Sequence, residues 1–140
     1  MTHAGAIEML HSEGCSCVIV RGDEVTLCRQ RGVKDLFGLL TDTPDALRGA
    51  FIADKVVGKG AAALMVAGRI EALYADVISL PALSLLGGHG IPVGYGDSVP
   101  NIINRSSTGV CPVETLCADT DDPAECVARI ERFLTEKTDK

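Results

Sequence analysis

The sequence predicts a single α/β domain, covering residues 1–140, with a mixed sheet, and three observations lead to this prediction. Two β-rich runs, Cys15 to Arg21 and Glu24 to Arg29, flank Gly22-Asp23, a pair suited to a tight antiparallel hairpin. Ala72 to Ser79 and Ile91 to Tyr95 have the pattern of strands joined by a short helix, which favours a right-handed parallel crossover. The chain of 140 residues is long enough to bury about two-thirds of its unfolded surface in one core.

The other segments are predicted to be mainly helical. Ala4 to Glu13 carries an apolar helical stripe and stops at Gly14, a plausible C-terminal cap. Gly32 to Ala50 is predicted to form a short helix and then a loop. Phe51 to Arg69 is predicted to be helical, although its glycines lower helix propensity. The last helix begins at Asp122 to Glu125, which supplies a cap, a proline at the first helical position and a capping-box acid.

Composition and charge exclude several classes of function. Thirteen Lys and Arg residues against nineteen Asp and Glu give a net charge of -6, which repels phosphate backbones and argues against a nucleic-acid partner. The longest mainly apolar stretch, Gly60 to Ile70, is far shorter than the roughly 20 residues that span a bilayer, so no membrane span is expected. Met1 to Gly14 carries charged residues where a signal peptide needs an apolar core. We therefore expect a cytoplasmic protein.

Cysteines and histidines do not form a recognisable metal motif. In a reducing compartment the six cysteines are expected to be small core residues and not an oxidised framework. The spacings of Cys15 to Cys17 and of Cys111 to Cys117 do not match structural zinc sites. The three histidines have no acid at catalytic or metal-ligand spacing, and surface or core roles are expected for them: His3, His11 and His89. The sequence thus predicts no metal and no cofactor.

Three polar residues in the predicted Gly-rich helix are candidates for an anion site. Asp54-Lys55 would begin this helix and Lys59 would follow one turn later on the same face. Two ammonium groups beside free helix N–H groups would attract an anion. The alternative is that both lysines are solvated surface residues. A phosphate loop is rejected, because Ala53 replaces its leading glycine and Gly60 its Ser or Thr.

A polar loop is predicted from Asp97 to Gly109, and its part from Pro100 to Gly109 gathers amide, guanidinium and hydroxyl donors. Arg105 is able to hold a carboxylate or phosphate through two parallel hydrogen bonds, with Asn101 and Asn104 as further ligand-binding candidates. The alternative is that the loop satisfies only its own backbone.

Cys111 is the cysteine placed where nucleophilic chemistry would be easiest. It directly precedes Pro112, which favours the first position of a helix, so its sulfur is expected at a helix amino end that stabilises a thiolate. Glu114 in the same turn opposes a thiolate, and a purely structural thiol is the alternative.

Three segments together resemble the uncharacterised prokaryotic family called domain of unknown function 1893: Phe51 to Lys59, Asn101 to Arg105 and Cys111 to Glu114. The resemblance spans nearly the whole chain. It implies a cytidine-deaminase-like fold, which is a three-layer α/β/α sandwich whose mixed sheet starts with an antiparallel hairpin.

The resemblance also implies that the zinc motifs of the deaminases are absent. Those enzymes use His-x-Glu at the start of the helix after the hairpin and Pro-Cys-x-x-Cys at the end of the next strand. The regions that would correspond here read Ala53 to Lys55 and Ser79 to Ala82, without imidazole or thiolate. What remains is a cleft containing Asp54, Lys55, Ser79 and the loop from Asn101 to Arg105.

Two functions compete for this cleft. The first and favoured one is binding of a small anionic metabolite or nucleotide, with Lys55, Lys59 and Arg105 as counter-charges. The second is a metal-free enzyme with Lys55 or Cys111 as nucleophile and Asp54 as acid or base. A homo-oligomer with a structural or regulatory role is the third alternative.

Overall fold

A five-stranded mixed sheet forms the centre of the computed structural model, which describes residues 2–29, 34–100, 116–117 and 119–138. The strand order is β2-β1-β3-β4-β5. Strand β1 is antiparallel to both β2 and β3, whereas β3, β4 and β5 run parallel. The predicted α/β class with a mixed sheet is therefore confirmed. The strands are β1 (Cys17–Arg21), β2 (Glu24–Cys28), β3 (Phe51–Val57), β4 (Ala72–Ser79) and β5 (Val93–Val99).

Helices lie on both faces of this sheet. The first helix packs against β1 and β3 on one face, and the other four helices among the described residues share a hydrophobic core with the opposite face. This arrangement gives three layers. The helices are α1 (His3–Ser12), α2 (Lys34–Asp42), α3 (Lys59–Gly68), α4 (Leu80–Gly88) and α5 (Pro123–Thr138), with a short 3-10 turn at Pro44–Ala46.

Side chains of β1 alternate between two cores, because successive residues of a strand point to opposite faces. Val18 and Val20 belong to the small core beneath α1. Cys17 and Ile19 belong to the larger core beneath α2 to α5. The same alternation continues in β3 and decides where its polar residues point.

The predicted helix over Phe51 to Arg69 is wrong in its first half. Phe51–Val57 is a strand, and the helix begins at Lys59 after an extended Gly58 with φ -99° and ψ 178°. Strand β3 lies between β1 and β4 and is covered on both faces, so most of its residues are buried whichever way they point. Such a strand lacks the apolar and polar alternation that distinguishes a strand from a buried helix.

Most other predicted elements are confirmed. The hairpin pairs Arg21 with Glu24 around Gly22, whose φ is +59°. Helix α1 ends two residues before Gly14, and β4 has the predicted bounds. Helix α5 begins as predicted, with Asp122 Oδ1 accepting a hydrogen bond from the Ala124 N–H at 3.1 Å. Strand β5 begins later than predicted and extends into the predicted polar loop. None of the described helices is long and apolar enough to cross a membrane.

Candidate functional site

Four strands end at one edge of the sheet, which we name the carboxyl edge. Because β1 is antiparallel to both of its neighbours, β2 runs in the same direction as β3, β4 and β5. The strands β2, β3 and β4 are each followed by a helix, α2, α3 and α4, whose amino end returns from this edge. Ligand sites of open α/β sheets collect at such an edge.

Asp54 and Lys55 are separated by the sheet. Asp54 lies opposite Cys17 of β1 and Ala75 of β4, which both belong to the larger core, so it faces α2 to α5. Lys55, the next residue of the same strand, points to the α1 face. The prediction that these two residues begin a helix is wrong, and the structure does not bring their side chains together.

Asp54 is a buried carboxyl group within β3. Its residue is only 8% exposed, and its Oδ1 accepts a hydrogen bond from the Val56 N–H at 3.3 Å. Burial raises the pKa of Asp54 to about 7, against the lowering effect of the Val56 and Lys55 backbone N–H groups, and the charge of Asp76 adds to the rise. A carboxyl group that titrates near neutral pH is able both to accept and to donate a proton.

Cys17 and Cys28 form a pair of buried thiols next to Asp54. They are directly opposed in the β1–β2 hairpin. The hydrogen bond with the Cys28 thiol raises the pKa of Cys17, and burial and the charges of Asp54 and Asp35 raise it further. An open cavity of about 450 Å³ lies between β2 and α2, and its lining includes Cys28, Asp35 and Leu39.

Lys59 is a buried ammonium group at the amino end of α3. Its residue is 4% exposed, and its Nζ lies 3.0 Å from Oδ1 of Asp121, whose side chain is 92% exposed. Burial raises the pKa of the neighbouring Cys117 to about 12, while the charge of Lys59 opposes this rise. The prediction that Lys59 follows Lys55 on one helix face is wrong, because Lys55 is in β3.

Ser79 is fully buried at the junction of β4 and α4. Its Oγ accepts a hydrogen bond from the Ala82 N–H at 3.2 Å, so it caps α4. Ser79 is predicted from the sequence to bind a ligand, and in the structure its hydroxyl group has this structural partner.

The cap predicts a stability effect without a binding effect. We expect Ser79→Ala to lower the free energy of unfolding by about 1 kcal/mol, because one first-turn N–H loses its acceptor. Chemical denaturation measures this change, and Ser98→Ala, at an exposed position of β5, is the control. A Ser79→Ala protein of unchanged stability would contradict the capping role.

The remaining predicted site residues lie outside the described residues: Cys111, Asn101, Asn104 and Arg105. Their roles stay predictions. The helix predicted to open at Cys111-Pro112 also stays a prediction.

A histidine and an acid missed by the sequence analysis meet on the α1 side of the sheet. His11 Nε2 lies 2.8 Å and 3.0 Å from the two carboxylate oxygens of Asp76, and the Tyr74 hydroxyl donates to Oδ1 of Asp76 at 2.9 Å. The hydrogen bond to Asp76 raises the pKa of Tyr74. His11 and Asp76 are 65 residues apart, so their contact is not visible as a spacing in the sequence, and the half-exposed His11 has the surface position expected for it. The alternation along β4 indicates only that Tyr74 and Asp76 face the same side of the sheet.

The two segments expected to correspond to the deaminase zinc motifs do not occupy the expected elements. In the structure, the helix after the hairpin is α2 and the next strand is β3. Ala53 to Lys55 lie within β3 instead of at the start of α2, and Ser79 to Ala82 lie at the start of α4 instead of at the end of β3. The sequence reads Gly58-Lys59-Gly60 after β3, and it contains neither His nor Cys from Arg29 to Gly38. Among the described residues, no three His, Cys, Asp or Glu side chains are grouped to hold a metal ion.

An open mixed sheet with helices on both faces defines an α/β protein. The family model described as Domain of unknown function (DUF1893) matches residues 5–134, and the chain belongs to this family. Its structure is similar to the crystal structure of a DUF1893 family protein (TM1506) from Thermotoga maritima, with a TM-score of 0.83 and 27% identity over 96% of this chain and 88% of that chain. No curated protein matches the sequence.

Proposed function

We propose that the protein binds a small anionic metabolite or nucleotide at the carboxyl edge, with Lys59 as the principal counter-charge. The observation that carries this proposal is the burial of the Lys59 ammonium group at the amino end of α3. The helix macrodipole makes this end positive, and the N–H groups of a first turn are hydrogen-bond donors. A buried lysine adds positive charge where the helix already favours an anion.

The Asp121 side chain is the counter-charge of Lys59 in the structure and occupies the position proposed for a ligand anion. Its carboxylate contacts the Lys59 ammonium group at 3.0 Å and is otherwise almost fully exposed. If a ligand anion pairs with Lys59 instead, the exposed Asp121 carboxylate returns to water and the buried ammonium group keeps a counter-charge. A ligand carboxylate or phosphate would take the place of the Asp121 side chain.

Further groups of the site are proposed from the chain that follows β5. This strand ends at Val99 on the carboxyl edge, and Asn101, Asn104 and Arg105 come within six residues of that end. Arg105 would hold the same anion through its guanidinium group. Lys55 is left out of this site because it points to the α1 face. The proposal also includes a cytoplasmic location and no nucleic-acid partner, because the net charge of -6 repels phosphate backbones.

The anion site predicts opposite effects for its two charged partners. We expect Lys59→Met to weaken binding of inorganic phosphate and adenosine monophosphate at least tenfold, which corresponds to about 1.4 kcal/mol. Asp121→Asn should strengthen binding of the same anions, because it removes the internal competitor. Calorimetric titration measures both effects, and ligand-induced rises in melting temperature provide a second readout.

Lys55→Met is the matched control, because it removes an ammonium group from the opposite face. Its affinity should equal that of the unmodified protein. Equal affinity in Lys59→Met, or a loss in Asp121→Asn as large as in Lys59→Met, would contradict the proposal.

A metal-free enzyme is the second candidate, and the pKa of Asp54 near 7 favours it. Asp54 would act as acid or base. Lys55 lies on the other face of the sheet, which leaves Cys111 as the proposed nucleophile. This candidate requires turnover that is lost in Asp54→Asn while the fold is kept.

A further inference from the structure

Cys17 and Cys28 are placed for direct bond formation with each other. They are register partners in the antiparallel β1–β2 hairpin, so both side chains point to the same face of the sheet. Opposed residues of antiparallel strands have Cα atoms about 4.5 to 5.5 Å apart. Disulfides bridge Cα separations of about 4.4 to 6.8 Å. The register therefore brings the two Cα atoms into the range that a disulfide spans.

We propose that Cys17 and Cys28 are a redox-active pair that forms a reversible cross-strand disulfide by exchange with a small-molecule disulfide. The pair differs from the nearby Cys15, which belongs to the core beneath α1 and whose Sγ lies 4.0 Å from the carbonyl oxygen of Met9. This inference concerns covalent chemistry of the hairpin and is independent of the anion site at Lys59.

The cavity between β2 and α2 determines which thiol reacts first. Cys28 is part of its lining, and the cavity of about 450 Å³ is open to solvent. The thiolate of Cys28 attacks one sulfur of the small disulfide, which forms a mixed disulfide and releases one small thiolate.

Cys17 completes the reaction from the facing strand. Its thiol loses a proton to the carboxylate of Asp54, the register partner of Cys17 on β3. The Cys17 thiolate then attacks Sγ of Cys28 and displaces the second small thiolate. The Cys28 proton, which is lost to water, and the Cys17 proton, which Asp54 then releases, protonate the two small thiolates. One small disulfide is thus reduced to two thiols as one protein disulfide forms.

Peptide mapping after equilibration with oxidised glutathione tests the proposal. Trypsin cleavage at Arg21 and Arg29 places Cys15 and Cys17 in residues 1–21 and Cys28 in residues 22–29. We expect a linked pair of these two peptides in the unmodified protein and its loss after treatment with dithiothreitol. The other three cysteines share the tryptic peptide 106–129, so bonds among them do not produce this species.

Three single substitutions assign the bond. Cys15→Ser should retain the linked peptides, whereas Cys17→Ala and Cys28→Ala should lose them. Circular dichroism of each variant checks that the fold is kept. Two results would overturn the proposal: no linked peptides in the unmodified protein at equilibrium, or linked peptides that persist in Cys17→Ala and disappear in Cys15→Ser.

Discussion

Asp54→Asn should make the protein more stable at pH 8 by up to roughly 4 kcal/mol. The pKa of this carboxyl group moves from 3.8 to about 7 on folding, chiefly because burial disfavours its charged form. Such a rise means that the folded protein keeps a proton that the unfolded chain readily releases, at about 1.4 kcal/mol for each pKa unit. An asparagine of similar shape has no charge to bury.

The stabilisation by Asp54→Asn depends on pH, because the folded and unfolded states lose the Asp54 proton at different pH values. Below pH 3.8 the carboxyl group is protonated in both states, so it adds no difference. As the pH rises from 3.8 to about 7, only the unfolded chain releases the proton, and the stability of the unmodified protein falls. Above that range both states are ionised, and the loss stays constant. The gain from Asp54→Asn should therefore grow between these two pH values.

Urea denaturation at intervals from pH 4 to pH 8 measures this difference. Asp97→Asn is the matched control, because Asp97 is exposed on β5 and its substitution should leave the pH profile unchanged. A stability difference between Asp54→Asn and the unmodified protein that is the same at every pH would refute the assignment.

Leu64→Ala should destabilise the protein by about 3 to 4 kcal/mol, because deleting a buried leucine side chain removes apolar burial and leaves a cavity. Leu64 is fully buried in α3, where every residue from Lys59 to Met65 is buried. This helix contacts α2, α4 and α5. The neighbouring helices therefore limit how far the structure can relax into the space.

Leu80→Ala is the matched control for that substitution. Leu80 is 50% exposed at the start of α4, so the same chemical change should cost less than about 1 kcal/mol. Both values come from denaturant unfolding curves at one pH. Similar losses in the two variants would show that α3 does not occupy the centre of the core.

Local signals were sufficient to predict the hairpin, β4 and the start of α5. Gly22-Asp23 fits one kind of tight turn, and Asp122-Pro123 combines a cap with a proline at the first helical position. Strand β3 could not be predicted in the same way. Its neighbours bury both faces, and only tertiary contacts distinguish its apolar run from a helix.

The candidate site was predictable in part. Lys59 was proposed as an anion ligand, although from a helix that was placed too early in the chain. The opposition of Cys17 and Cys28 could have been found by counting outward from the turn, because Arg21 pairs with Glu24. The contact of His11 with Asp76 could not have been predicted, because nothing in the sequence indicates which strand α1 crosses.

The opposite orientations of Asp54 and Lys55 constrain how related sequences are compared. In β3 a shift of one position exchanges the two faces of the sheet. An alignment with a one-residue gap between Ile52 and Asp54 would therefore match residues that face the larger core with residues that face α1. Family alignments should be kept free of gaps from Phe51 to Val57, and a relative that truly carries an insertion there is expected to need a bulge that restores the phase.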